Sequence, residues 1–172
     1  PSRGLGDVYK RQDMPYMHKA LFGAGCFWGV ELTFSKVDGV ESTAVGYCGG
    51  SVPDPTYEIV CTGQSGHAEV VLVEFNPVKV SFDKLLDTFW SLHDPTTLNR
   101  QGPDIGTQYR SVIFFQDEGQ DALSKASKDR LQSSGKHKND IVTEIVPAEH
   151  FYLAEEYHQK YLEARGLGNC NS

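Results

Sequence analysis

The sequence predicts a single α/β domain in which helices cover a mixed sheet in two layers. Segments with the apolar pattern of strands alternate along the chain with segments of helical spacing, which is typical of α/β folds. Two strand segments follow one another with no helical segment between them, which adds an adjacent pair of strands. The length of 172 residues, of which 39% are hydrophobic and 23% charged, suits one domain with a substantial core.

The first half of the chain contains three strand segments and one helical segment. A short strand is predicted over 19–22 and runs into the glycines of GAG. From Cys26 the apolar residues of CFWGVELTFSKV recur at helical intervals, until Asp-Gly ends the helix. A second strand over 42–47 is followed by a turn-rich loop over 51–58. The third strand, AEVVLVEF at 68–75, is apolar almost throughout and is therefore expected to be buried on both faces.

The second half continues the alternation. The sequence there predicts a helix in SFDKLLDTFWSLH, followed by a long polar loop over 93–110 and a strand over 111–115. A helix over 117–134, a strand over 141–146 and a helical stripe over 154–161 complete the pattern. A polar loop as long as 93–110 inside a compact domain often carries function. The last segment, 166–172, is a tail punctuated by glycine.

Charge and composition exclude several classes of partner. With 16 basic and 23 acidic residues the net charge is −7, and no segment is a basic run, so no nucleic-acid partner is expected. No apolar segment approaches membrane-spanning length, so no membrane partner is expected either. Residues 1–16 lack the apolar core of a secretory signal and are predicted to be a disordered or extraneous leader.

The four cysteines then indicate a reducing compartment, and we expect a cytoplasmic protein. No CxxC pair occurs among them, which disfavours a zinc knuckle and a thioredoxin-type motif.

Cys26 is the first candidate for chemistry. It stands between a strand and a helix, where first-turn N–H groups and the helix dipole stabilise an anion, so its thiolate is a candidate nucleophile. The alternative is a small buried hydrophobe, which is what many cysteines are. The glycines of GAGCFWG are spaced one residue too far apart for a dinucleotide fingerprint, and the adjacent aromatics would crowd a pyrophosphate.

Glu69 opens the strand that is expected to be buried. A carboxyl group there is either paired or kept protonated by apolar surroundings, and in the second state it is a proton donor. The alternative is a strand-end glutamate that reaches solvent. The pattern His67-x-Glu69 also occurs in zinc deaminases, but the P-C-x-x-C that they require is missing, so no metal site is predicted.

Six segments gain meaning together. GCFWG (25–29), PTYE (55–58), GHAE (66–69), HDPTT (93–97), GTQYR (106–110) and AEEYHQKYL (154–162) occur in this order. They resemble the peptide methionine sulfoxide reductase A family, from about Lys19 to Tyr161. The resemblance implies a two-layer, ferredoxin-like α/β plait around a mixed sheet, with a catalytic domain over 17–165.

The resemblance also assigns roles. Cys26 is the implied nucleophile, and Phe27 and Trp28 form the pocket for the methyl group on the substrate sulfur. Glu69 is the implied proton donor to the sulfoxide oxygen, and Tyr57, Tyr109 and Asp104 complete the polar side of the site. From the residues alone, the two tyrosines are packing residues in loops and Asp104 is a turn residue.

The implied reaction reduces methionine S-sulfoxide, free or in proteins, and leaves Cys26 as a sulfenic acid. A second thiol converts the sulfenic acid to a disulfide, which thioredoxin reduces, and neither a metal nor an organic cofactor is required. Cys170 in the tail is the expected resolving thiol, with Cys48 as the alternative, unless Cys170 is an idle terminal cysteine. A monomer is expected.

Two rival functions stay open at this stage. A cysteine hydrolase or acyl-transferase needs a histidine base beside Cys26, and His67, His93 and His158 lack a local signature for that role. A non-catalytic peptide-binding module would have no use for a nucleophile such as Cys26.

Overall fold

The computed structural model describes residues 17–166. The predicted leader over 1–16 and the candidate resolving thiol Cys170 lie outside the described residues. Within the described range, no helix combines the length and the apolar character that crossing a bilayer requires.

Eight strands and five α-helices are described. The strands are β1 (His18–Ala24), β2 (Val40–Cys48), β3 (Ala68–Phe75), β4 (Arg100–Gln101), β5 (Asp104–Ile105), β6 (Ser111–Phe115), β7 (Glu144–Pro147) and β8 (Tyr152–Leu153). The helices are α1 (Phe27–Ser35), α2 (Tyr57–Cys61), α3 (Phe82–Ser91), α4 (Glu118–Ser133) and α5 (Tyr161–Ala164), with short 3-10 helices at Thr107–Tyr109 and Glu156–His158.

Six of the strands form one mixed sheet in the order β7-β6-β1-β3-β2-β8, so a single α/β domain with a mixed sheet is confirmed. Only β6 and β7 run parallel, and the other neighbours are antiparallel. The register of β1 on β3 pairs Phe22 with Val71, and that of β2 on β3 pairs Tyr47 with Glu69. The C-terminal ends of β1 and β2 and the N-terminal end of β3 therefore lie side by side at one end of the strands, immediately before α1.

Helices α1 and α3 pack on one face of the sheet. The ring of Phe22 on β1 stacks on Phe34 of α1, with centroids 5.0 Å apart, and on Phe89 of α3, at 5.1 Å. A smaller apolar cluster covers the opposite face, so β3 contributes Val71 to one cluster and Val70 to the other. The prediction that β3 is buried on both faces is thus confirmed, and α1 is held firmly enough to fix its first residues.

The predicted strand over 141–146 is wrong in its position, since β7 begins only at Glu144. The backbone N–H of Ile141 donates instead to the side chain of Gln132, and that of Val142 donates to the carbonyl oxygen of Pro95. These two hydrogen bonds take the donors that a sheet partner would have used.

The predicted helix over 154–161 is also wrong, because the segment divides into a 3-10 helix and the start of α5. The side-chain amide of Gln159 accepts from the backbone N–H of Val45 and donates to its carbonyl oxygen. The backbone N–H of Lys160 donates to the Glu31 carboxylate at 2.7 Å. Lys160 takes a left-handed conformation at φ 54°, which no continuous α-helix allows. Tertiary hydrogen bonds therefore override the helical pattern.

Candidate functional site

Cys26 caps the N-terminus of α1 and is half-buried. The chain reverses at Gly25, whose φ of 97° favours glycine, and a Cβ there would lie 2.9 Å from Cγ of Gln101. The glycine before the cysteine is therefore required by the turn and by the close approach of the 100–105 hairpin. This turn brings the thiol out at the sheet edge.

Glu69 stands beside this helix start. The side chain is only 2% exposed, and its Oε1 accepts a hydrogen bond from the backbone N–H of Phe27 at 3.2 Å. The Cys26 side chain makes no capping hydrogen bond to α1, and the Glu69 carboxyl takes the first free N–H of the helix instead. This hydrogen bond orients the carboxyl. The alternative of a glutamate that reaches solvent is excluded by this burial.

A cavity of about 310 Å³, named here the aromatic pocket, opens beside Cys26. It is lined by Cys26, Phe27, Trp28, Tyr57, Glu69, Pro103, Asp104 and Tyr109. The eight lining residues include every catalytic and pocket residue that the sequence predicted. Segments from four separate parts of the chain converge there.

The two pocket tyrosines come from short helices rather than from loops. Tyr57 is the first residue of α2, and Tyr109 is the last residue of the 3-10 helix Thr107–Tyr109. Burial raises the pKa of Tyr57, and burial together with the nearby Glu69 carboxyl raises the pKa of Tyr109. Both hydroxyls therefore stay protonated at neutral pH, and that of Tyr57 is hydrogen-bonded to the Cys61 side chain.

The aromatic wall of the pocket, formed by Phe27 and Trp28, is supported by residues from the C-terminal part of the described chain. Phe27 is 1% exposed and packs in the core, whereas the half-buried Trp28 faces the pocket. The indole Nε1–H of Trp28 donates to Nδ1 of His158 at 2.9 Å, and the ring of Tyr161 stacks on the indole with centroids 3.8 Å apart. These two contacts fix the indole on both its edge and its face.

His158 stays neutral in this position. It is 1% exposed, and burial lowers its pKa. Because Nδ1 accepts from Trp28, that nitrogen carries no proton in the neutral ring. His158 is therefore a support for the indole and not a base for Cys26.

Glu155 supports the other wall. Its carboxylate accepts from the backbone N–H of Tyr57 at 2.9 Å and from the hydroxyl of Tyr47 at 2.8 Å. Although burial alone raises the pKa of Glu155, these hydrogen bonds lower it below the ordinary value for glutamate. The roles of Glu155, His158 and Tyr161 could not be predicted from the sequence, where their only signal is the motif AEEYHQKYL.

Cys48 lies on the other side of the sheet. It is fully buried in the apolar cluster with Val70 and Phe114, whereas α1 packs against the opposite face. Burial raises the pKa of its thiol, which reaches the carbonyl oxygen of Glu149 at 3.6 Å. The structure therefore does not bring Cys48 together with Cys26.

Within residues 17–166 no three histidine, cysteine, aspartate or glutamate side chains are arranged to hold a metal ion. No histidine of the described range lines the aromatic pocket. A cysteine at a helix start, beside a buried carboxyl and two protonated tyrosines, defines a thiol-dependent oxidoreductase rather than a cysteine hydrolase.

Comparisons with known proteins agree. The family model "Peptide methionine sulfoxide reductase" matches residues 18–172, and the chain belongs to that family. A curated relative from Methanothermobacter thermautotrophicus, "Peptide methionine sulfoxide reductase MsrA", is 61% identical over 88% of this chain and 90% of its own length.

Solved structures show the same likeness. Mxr1 from Saccharomyces cerevisiae in reduced form is 37% identical, with a TM-score of 0.84 over 91% of this chain and 90% of that chain. Mxr1 in complex with Trx2 matches with 26% identity and a TM-score of 0.62, over 87% of each chain.

Proposed function

We propose that this protein reduces methionine S-sulfoxide, free or within proteins, to methionine through the Cys26 thiol. One observation carries the proposal: the thiol, an aromatic wall, the Glu69 carboxyl and the Tyr57 and Tyr109 hydroxyls line one cavity. A methyl sulfoxide presents a small apolar group, an electrophilic sulfur and a polarised oxygen. Each part finds a matching group in the aromatic pocket.

The aromatic wall recognises the methyl group. Trp28 and Phe27 offer an apolar surface next to Cys26, and burial of one methyl contributes about 0.8 kcal/mol. Contact between sulfur and an aromatic ring adds to this. The wall thereby directs the sulfur, rather than the oxygen, towards the thiol.

The polar wall of the aromatic pocket, formed by Glu69, Tyr57, Tyr109 and Asp104, activates the sulfoxide oxygen. As the Cys26 thiolate attacks the sulfur, negative charge gathers on the sulfoxide oxygen, and donors aimed at this atom act as an oxyanion hole does. Glu69, buried to 98% and oriented by the N–H of Phe27, supplies the proton in this proposal. Tyr57 and Tyr109 donate hydrogen bonds to the same oxygen, and Asp104 closes the polar side.

The atoms balance in two steps. Cys26 and the sulfoxide give methionine and the Cys26 sulfenic acid, so the thiol sulfur is oxidised and the substrate sulfur is reduced. A second thiol then attacks the sulfenic sulfur, a disulfide forms and water leaves. The dithiol of a thioredoxin reduces this disulfide and restores the enzyme.

We propose Cys170 as the second thiol. The described chain ends at Gly166, directly after α5, whose Tyr161 stacks on Trp28. Four further residues span at most about 13 Å, and the proposal requires that this length carry the Cys170 thiol to Cys26. Cys48, behind the sheet, has no comparable route.

Thioredoxin is the proposed reductant, and the complex of the relative Mxr1 with Trx2 supports it. Thiols are kept reduced in the cytoplasm, where we expect the protein to act. We also propose that the protein acts as a monomer.

We further propose that the catalytic domain, 17–165, is a ferredoxin-like plait, with 1–16 outside it and 166–172 as a tail. In support, β1, α1, β2, β3, α3 and β6 occur in this chain order as βαββαβ, with α2 inserted before β3 and β4 and β5 before β6, and the four strands lie in the order β6-β1-β3-β2. The family model begins at residue 18, close to the proposed boundary.

The decisive experiment follows methionine production from methionine S-sulfoxide with dithiothreitol as reductant. Cys26→Ser should abolish turnover. Cys170→Ser is the matched control, because dithiothreitol reduces a sulfenic acid without a resolving thiol, and it should keep the wild-type rate. Turnover that survives Cys26→Ser would refute the proposed function.

The resolving thiol is tested by changing the reductant. With thioredoxin in place of dithiothreitol, Cys170→Ser should lose turnover while Cys48→Ala retains it. A full thioredoxin-dependent rate in Cys170→Ser would show that the tail has no such role.

A further inference from the structure

Cys26 has a cavity on each side. Besides the aromatic pocket there is a second pocket of about 200 Å³, lined by Ala24, Cys26, Gly29, Val30, Thr33, Leu92, Gln101, Gly102, Pro103 and Asp104. The two pockets share Cys26, Pro103 and Asp104 as a common border. The proposed reaction uses only the aromatic pocket, which leaves the second one without a function.

The floor of the second pocket is apolar. Ala24 and Val30 are each 4% exposed, and Leu92 packs against the main core. Gly29 and Gly102 add no side chain to the space. A ligand that fills this floor removes aliphatic surface from water, which is favourable at roughly 25 cal/mol per Å².

Two polar side chains of the lining, those of Gln101 and Thr33, already have partners. The side-chain amide of Gln101 accepts from the backbone N–H of Asp94 and donates to its carbonyl oxygen, both at 2.8 Å. The hydroxyl of Thr33 donates to the carbonyl oxygen of Gly29 at 3.1 Å. Gln101 and Thr33 therefore make no demand on a ligand, and apart from Cys26 and Asp104 at the shared border the lining favours an apolar occupant.

The size of the pocket fits one side chain. An apolar cavity of about 150 Å³ holds a benzene molecule, so 200 Å³ accommodates a leucine side chain or a phenyl ring. Because the two pockets share a border, their occupants lie close to each other. Neighbouring Cα atoms of a peptide are about 3.8 Å apart, so a residue next to the one that enters the aromatic pocket lies within reach of the second.

We propose that the second pocket binds an apolar side chain of the residue adjacent to methionine sulfoxide in a peptide substrate. The inference rests on the proposed function and names its preferred substrates: oxidised segments in which leucine or phenylalanine neighbours the methionine sulfoxide. Free methionine sulfoxide leaves the second pocket unoccupied.

The test compares short peptides at equal dithiothreitol concentration. The substrates are acetyl-Gly-Met(O)-Gly-amide, acetyl-Leu-Met(O)-Gly-amide and acetyl-Gly-Met(O)-Leu-amide, with N-acetylmethionine sulfoxide as the single-residue reference. We expect one of the leucine peptides to have a kcat/KM about tenfold above that of the glycine peptide. The measured quantity is this ratio within one protein, which cancels differences in the active fraction.

Substitution at the mouth of the pocket links the ratio to the structure. Thr33 is exposed on α1. Thr33→Phe fills the pocket and should bring the ratio close to one, whereas Thr33→Val keeps the original shape and should keep the ratio. If Thr33→Phe fails to fold, Thr33→Leu is the second blocking variant, since leucine suits a helix better than threonine.

Three outcomes would overturn the proposal: equal kcat/KM for all three peptides in the wild type, a ratio that Thr33→Phe leaves unchanged, or a Thr33→Phe variant that is slowed only in thioredoxin-dependent turnover. The last would assign the pocket to the protein's own tail. The absence of turnover on all four substrates would instead refute the proposed function itself.

Discussion

The two sides of Cys26 are built in different ways. On the side of the aromatic pocket, Trp28 is bonded to His158, 130 residues away, and the N–H of Tyr57 to Glu155, 98 residues away. On the side of the second pocket, the main support is the pair of hydrogen bonds between Gln101 and Asp94, seven residues apart. The aromatic wall is held by contacts between distant segments, whereas the loop that borders the second pocket is held by contacts within itself.

The difference separates chemistry from recognition. Donors around a developing charge must be held rigidly, and long-range contacts with buried groups provide this rigidity. A wall that only accommodates a neighbouring side chain tolerates variation, and a local loop suffices for it. Substitutions on the aromatic side should therefore change the rate of the reaction, and those on the loop side should change stability or substrate preference.

The largest effect is expected on the aromatic side at Glu69. Glu69→Gln keeps an oxygen that accepts from Phe27 N–H but removes the acidic proton, so kcat should fall about 10²- to 10⁴-fold. Saturating methionine sulfoxide with dithiothreitol measures this directly. Glu74→Gln is the matched control on the same strand, where the carboxyl accepts from Ser42, and its kcat should stay within twofold of wild type. An unchanged kcat in Glu69→Gln would exclude Glu69 as the proton donor.

On the loop side, the next effect is a pH-dependent loss of stability at His93. Its Nδ1 donates to the Phe89 carbonyl oxygen and its Nε2 accepts from the Ser111 hydroxyl, which fixes the neutral ring. Burial lowers the pKa of His93 from 6.5 to about 4. Between pH 6.5 and pH 4 the unfolded chain binds a proton that the folded chain does not. The free energy of unfolding should therefore decrease as the pH is lowered through this range, by about 3 kcal/mol in total.

Urea unfolding at several pH values measures this loss. His93→Gln should reduce the pH dependence between pH 6.5 and pH 4, of which His158 and Glu155 keep a share, and the exposed His18→Gln should leave it in place. The same slope in His93→Gln and in wild type would assign the dependence to other groups.

The sequence predicted the aromatic side far better than the loop side. Cys26 opens a segment of helical periodicity and Glu69 opens an apolar strand, but only the family resemblance implied that the sheet brings them together. The hairpin of β4 and β5 has two residues a strand, too few to show any period. The supports of the aromatic wall were also hidden, because a lone histidine such as His158 acquires its role only through a partner 130 residues away.

The smallest of the three effects tests those hidden supports. His158→Leu removes the acceptor of the Trp28 indole N–H, which leaves this donor unpaired at the edge of the aromatic pocket. The indole should shift, and kcat/KM for methionine sulfoxide should fall about tenfold, which corresponds to about 1.4 kcal/mol of transition-state binding. His158→Asn, which keeps an acceptor, should recover part of this loss. The chain's second tryptophan supplies the control: Trp90 donates to Ser127 at 2.7 Å and neither residue lines the two pockets, so Ser127→Ala should lower stability and leave kcat/KM within twofold. If Ser127→Ala and His158→Leu reduce kcat/KM equally, the loss reflects general loosening of the fold, and the indole orientation has no special part in recognition of the methyl group.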